Sequence, residues 1–114
     1  MLFKSLSEAL PYQAPNHTGV DSVRLLGFEE GGPQQFWVGH SIVHPGGFAG
    51  PDRSSLEKVY VVLSGHLELH VDGQVRQLAP MDSCRIGPNE ERLLRNATAE
   101  PATLLVVMPY SVTT

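Results

Sequence analysis

The chain has a single cysteine, Cys84, so no disulfide can form within it. A lone thiol also fits a reducing compartment. Basic residues are few as well. Eight Lys and Arg against twelve Asp and Glu leave a formal net charge of −4, and the basic side chains are scattered without a tract. Binding to nucleic acid depends on clustered Lys and Arg, so a nucleic-acid partner is excluded. No apolar run approaches the roughly 20 residues of a membrane span, so no membrane partner is expected. The opening MLFKSLSEALPYQ is too short in apolar residues for a secretory leader. These absences lead to the expectation of a cytoplasmic protein.

What is present is punctuation. Eleven Gly and nine Pro in 114 residues call for many turns and hence many short strands, in a chain long enough for one core. A single domain over residues 1–114 is expected, with an N-terminal arm and loop over 1–20 and a barrel over 22–109. Residues 1–10 suit a helical turn or an edge strand equally. The turn-rich YQAPNHTG that follows reads as a loop, with His17 a solvated loop histidine. Strands are expected at 22–29 and 35–43, followed by a Pro45-Gly46-Gly47 turn and a polar loop. The β-branched and aromatic run at 57–63 reads as a strand buried on both faces. Residues 66–72 alternate Leu67, Leu69 and Val71 against His66, Glu68 and His70. Asp72-Gly73 predicts a tight hairpin, because both turn positions favour positive φ. Further short strands at 74–78, 83–86, 92–97 and 102–108 complete a sandwich or barrel.

The stretch from Pro45 to Asn96 resembles the double motif of the cupin family. In the first motif two glycines flank His-x-His and a Glu, and Gly46 and Gly65 stand at its ends with the family spacing. In the second motif Met81 and Asn89 take glycine positions, Gly87 takes a proline position, and Asn96 matches the closing Asn. The resemblance implies an all-β fold, a cupin-type antiparallel β-barrel of the jelly-roll or double-stranded β-helix kind. It also implies a metal site. At the four ligand positions, however, this chain carries Asp52, Ser54, Lys58 and Arg92. Two cations among the nearest neighbours of a metal ion repel it strongly, so neither a metal nor another cofactor is expected.

Other residues offer little to rebuild a metal site. His66 and His70 share a face, but four strand residues separate them by about 13 Å. The same spacing parts His40 from His44. A meeting of one histidine of each pair across strands, with Glu57 or Glu68, is the arrangement left open; the ordinary alternation instead makes His66, Glu68 and His70 a solvated face. Cys84 reads as a small buried hydrophobe. Two arrangements of Lys58 and Arg92 remain open. They form an anion site, with Asp52, Ser54, Tyr60 and Asn96 as hydrogen-bonding neighbours, or they form salt bridges to Asp52, Glu57, Glu90 or Glu91 that plug the barrel. Tyr60 is open between core aromatic and pocket hydroxyl.

The functional expectation is a metal-free pocket for a small anionic organic molecule. Lys58 and Arg92 would be its catalytic residues if it performs proton transfer, isomerisation or lyase chemistry. Two alternatives stand beside it: a metal-dependent dioxygenase or isomerase with relocated ligands, and a non-catalytic dimerisation module. A homodimer is expected, from the family resemblance and from sheet edges that need cover.

Overall fold

The computed structural model describes residues 1–111; the last three residues of the expected single domain lie outside the described residues. One turn of 3-10 helix, Leu6–Glu8, precedes nine strands, all paired antiparallel. They are β1 Leu10–Tyr12, β2 His17–Leu26, β3 Phe36–Asp52, β4 Lys58–Ser64, β5 Leu67–Val71, β6 Gln74–Leu78, β7 Ser83–Ile86, β8 Arg92–Arg95 and β9 Ala102–Pro109. The order across the sheet is β6-β5-β8-β3-β9-β4-β7, and β1-β2 joins at β3. This is a nearly closed antiparallel β-barrel. Among the described residues no helix is long and apolar enough to cross a membrane.

The long strand β3 makes the closure. Its first part, Phe36 to Val43, pairs with β9, and its last part, Phe48 to Asp52, pairs with β8. The turn expected at Pro45-Gly46-Gly47 is therefore strand, which corrects the sequence reading, and the polar loop expected after it is confined to 53–57. The reason is tertiary. Pairing with β9 ends at Val43, and β8's continuation takes over: Gly46 N–H donates to the Asn96 carbonyl, and Asn96 N–H donates to the Gly47 carbonyl, each at 2.9 Å. Backbone groups that would need solvent in a loop find partners here. Gly47 is needed because β2 crosses closely, and a Cβ there would collide with the Gly19 carbonyl.

A second correction concerns β2. It begins at His17, inside the segment expected as a loop, and β1 pairs with it through Tyr12↔Ser22. A third concerns β4. Lys58, Tyr60 and Val62 are buried, while Val59 and Val61 are only half-buried, so the strand is inward on one face. The Asp72-Gly73 hairpin forms between β5 and β6, with φ of 49° and 79° at its two central residues. Inward side chains such as Val43, Val62, Leu67, Leu94 and Leu104 make one continuous core. Part of this core also walls a hollow inside the barrel.

Candidate functional site

The hollow is a cavity of about 250 Å³. Its walls are apolar, from Val43, Leu94, Leu104 and Val106, and its polar groups include Lys58, Tyr60, Arg92 and His17. Among the described residues, no Asp or Glu lines it. Period-two alternation places Lys58 and Tyr60 on the inner face of β4, and Arg92 and Leu94 on the inner face of β8. Lys58 is 8% exposed and Arg92 4%.

These two cations have little to neutralise them. Among the described residues, no salt bridge reaches either one. The acidic residues that would plug the barrel are engaged elsewhere: Glu57 holds Arg85 at 2.7 Å, Glu91 holds Arg53 at 3.2 Å, and Glu90 accepts from Gly87 N–H at 2.7 Å. Glu57 is exposed and does not turn inward. The Nε and Nη1 of Arg92 are buried without a hydrogen-bond partner among the described residues. Burial, and then the Arg92 charge, bring the Lys58 ammonium down to about 8, against the pull of Asp52. Burial pushes the Tyr60 hydroxyl up to about 12, so it stays a neutral phenol.

The remaining residues expected at the site stand apart from the cavity wall. Asp52 sits opposite Arg92 in the β3–β8 register, close enough to act on Lys58 electrostatically, but its Oδ1 accepts from Arg53 N–H at 2.8 Å. Ser54 Oγ accepts from Leu56 N–H at 3.0 Å and shapes the β3–β4 loop. Asn96 is 1% exposed. It donates to the Val43 and Glu100 carbonyls at 2.9 and 2.7 Å and accepts from Thr98 N–H and Oγ1 at 2.9 and 2.7 Å. Its polar capacity is spent on bracing the β8–β9 turn.

His17 and Arg24 are among the cavity residues that escaped the sequence reading. His17, expected to be solvated, is half-buried and lines the cavity. Nothing in YQAPNHTG signals this, because the β3 partner that draws His17 inward is distant in sequence. Arg24 also lines the wall, stacked on Tyr12, Phe28 and Trp37 with its guanidinium carbon 4.6, 4.2 and 4.9 Å from the ring centres. Its place on a strand of mixed polarity carried no sign of those three rings.

The residues do not fit the metal of the family. Lys58 and Arg92 present charged nitrogens without lone pairs, and among the described residues no three His, Cys, Asp or Glu side chains converge. His44 pairs with Asp21 at 2.7 Å on the surface. Glu68 holds His70 at 2.5 Å and Arg95 at 3.0 Å on the outer face. His66 is exposed, and His40 is not brought to either pair.

The model of the cupin domain matches residues 39–108, more than half of the chain. The chain is a cupin. This cupin is 42% identical over 106 residues to a Mycobacterium tuberculosis protein named beta-D-galactosidase Rv1717, covering 93% of this chain and 91% of that one. Among solved structures, the polyketide cyclase RemF from Streptomyces resistomycificus superposes with a TM-score of 0.84 at 19% identity, covering 96% of this chain and 79% of that one. A cupin-superfamily sugar phosphate isomerase from Silicibacter pomeroyi gives a TM-score of 0.72 at 27% identity, covering 82% of this chain and 60% of that one. The fold of this cupin is thus shared with proteins named for several different reactions.

Proposed function

We propose that this cupin binds a small anionic organic molecule in the barrel, held by Lys58 and Arg92, and moves a proton on it. The observation that carries this reading is the pair of buried cations, with Arg92 Nε and Nη1 left unpartnered among the described residues, in a cavity that none of their carboxylates lines. Buried N–H groups and buried like charges are costly unless an acceptor of opposite charge arrives. A carboxylate or phosphate supplies both, and the guanidinium fork suits its geometry. A volume of about 250 Å³ suits a single-ring ligand. The names of the mycobacterial relative and of the isomerase neighbour both refer to sugars, which favours a sugar acid or a sugar phosphate. Lys58, at about 8, is able to give and take a proton near neutral pH.

A second reading, hydrolysis of a β-D-galactoside, is favoured by the name of the relative and by its coverage. Glycoside hydrolysis usually employs two carboxylates across the scissile bond. The cavity wall offers Lys58 and Tyr60 as proton carriers in their place. A second copy of the chain is also proposed to cover the exposed apolar side chains of the N-terminal arm.

The test is a thermal-shift comparison of inorganic phosphate, galacturonate, galactose 6-phosphate and neutral galactose, with release of nitrophenol from nitrophenyl β-D-galactoside measured in parallel. The anions are expected to raise the midpoint of the wild type and galactose is not. Arg92→Ala is expected to weaken anion binding by roughly 2–5 kcal/mol, the usual loss when one member of a buried charged pair is truncated. Arg92→Lys weakens it too, because the fork is lost. Galactoside hydrolysis without any anion response would replace the first reading by the second.

A further inference from the structure

The cavity contains a histidine that neither holds the chain together nor belongs to the anion-holding pair. His17 opens β2 and pairs with Ala49 of β3, which in turn pairs with Leu94 of β8. Residues directly opposite on neighbouring strands share a face. Ala49 and Leu94 are buried in the cavity wall, so His17 belongs to the same inner row, and Arg92 lies two residues along β8 on that face. The imidazole Nδ1 is 2.8 Å from the Pro15 carbonyl oxygen. A carbonyl only accepts, so Nδ1 carries the hydrogen and Nε2 keeps its lone pair. No hydrogen bond occupies Nε2 among the described residues. Resting on the anion-site reading above, we propose that His17 Nε2 is the proton acceptor of this cavity, working opposite the ammonium of Lys58.

The step is a plain proton transfer. An acidic C–H or O–H of the bound anion gives its proton to Nε2, forming imidazolium. The electron pair of that bond stays on the ligand, where Lys58 and Arg92 hold the added negative charge. Return of the proton from Nε2 restores the neutral ring. Three charged groups act on His17 from the strands around it: Arg92 on β8, Lys58 on β4 and Asp52 on β3. Burial first, then the two cations, lower its proton affinity, against the raising effects of the Pro15 hydrogen bond and of Asp52. The ring is therefore neutral near pH 7, as a base must be before it acts. Lys58, at about 8, is still largely protonated there. A neutral base and a charged acid facing one cavity are the pairing that proton transfer needs.

Nitrogen-edited NMR of the histidine rings tests this, with inorganic phosphate as the probe and Arg92→Ala and His17→Asn as variants. The Asn amide nitrogen stands near the place of Nδ1 and is able to keep the Pro15 hydrogen bond. The wild-type His17 ring is expected to be the neutral Nδ1–H tautomer at pH 7, to titrate below the ordinary histidine value, and to titrate upward when phosphate offsets the two cations. His17→Asn is expected to retain phosphate-induced stabilisation within about twofold in affinity. An Nε2–H tautomer, an unlowered titration, or loss of phosphate binding in His17→Asn with its fold intact would overturn the proposal. If phosphate binds and Arg92→Ala abolishes that binding while the His17 titration does not move, this proposal falls and the anion site stands. If phosphate does not bind the wild type, both fall.

Discussion

Lys58 shows how a residue that opposes stability is retained at a site. In the unfolded chain its ammonium titrates near 10.5, and in the folded barrel near 8. Between those values the unfolded state holds the extra proton, so raising the pH through this window removes a penalty on folding. Below about 8 the full penalty applies, and it is bounded by about 3 kcal/mol from the size of the shift. Lys58→Met is therefore expected to be more stable than the wild type at pH 7. Its advantage should shrink as pH rises from about 8 toward 10.5. Urea unfolding of both proteins across that range checks this, and taking their difference cancels the opposing titrations of Tyr12, Tyr60 and Cys84, whose pKa values burial raises. An advantage independent of pH would mean that Lys58 is solvated. At this scale the motif spacing alone brought Lys58 and Arg92 to attention, and both line the cavity. It also drew in Asn96 and Ser54, which the structure uses to brace turns, because a motif records positions and not which way a polar group is satisfied.

At the scale of the element, the frame of the second motif outlasts its glycines. Met81 and Asn89, which stand at glycine positions, keep positive φ of 71° and 64°. Asn tolerates the left-handed region, whereas a Met there is strained by roughly 1–2 kcal/mol. The turn holds because Met81 N–H donates to the Val62 carbonyl at 2.7 Å and Asp82 N–H donates to the Ala79 carbonyl at 2.9 Å. The Met81 side chain is 75% exposed and contributes little packing. Met81→Gly is therefore expected to raise stability by roughly 0.5–1 kcal/mol, the strain relieved less the entropy added to the unfolded chain. A urea midpoint at or below that of the wild type would show that the turn is not strained. Strand β3 carries the other lesson of this scale. Pro45-Gly46-Gly47 reads as a turn signal, yet it lies within a strand that changes partners.

At the scale of the whole molecule, the N-terminal arm leaves Leu2, Phe3, Leu6 and Leu10 exposed at 41%, 78%, 69% and 72%. Apolar groups gathered on one short segment suit a surface that a second copy covers. The protein is expected to scatter light as a dimer at micromolar concentration. The double substitution Phe3→Ser with Leu6→Ser is expected to shift it toward monomer without changing the response of the barrel to phosphate. A monomer mass for the wild type would rule out this assembly.

The sequence by itself determined the strand count to a close approximation, the Asp72-Gly73 hairpin, the barrel class and the cationic pair at the ligand positions. Alternation, turn chemistry and motif spacing are local, and each is written in neighbouring residues. Only the tertiary structure decided that β3 runs on to Asp52, that the acidic residues near Lys58 and Arg92 face other partners, and that His17 and Arg24 enter the cavity. Each of these outcomes depends on which distant strand supplies the hydrogen bonds and the opposing charge. β8 converts a turn signal into strand, Arg85 and Arg53 hold Glu57 and Glu91 at the surface, and β3 draws His17 into the inner row. A side chain's surroundings are set by segments far from it along the chain, and local pattern does not carry them.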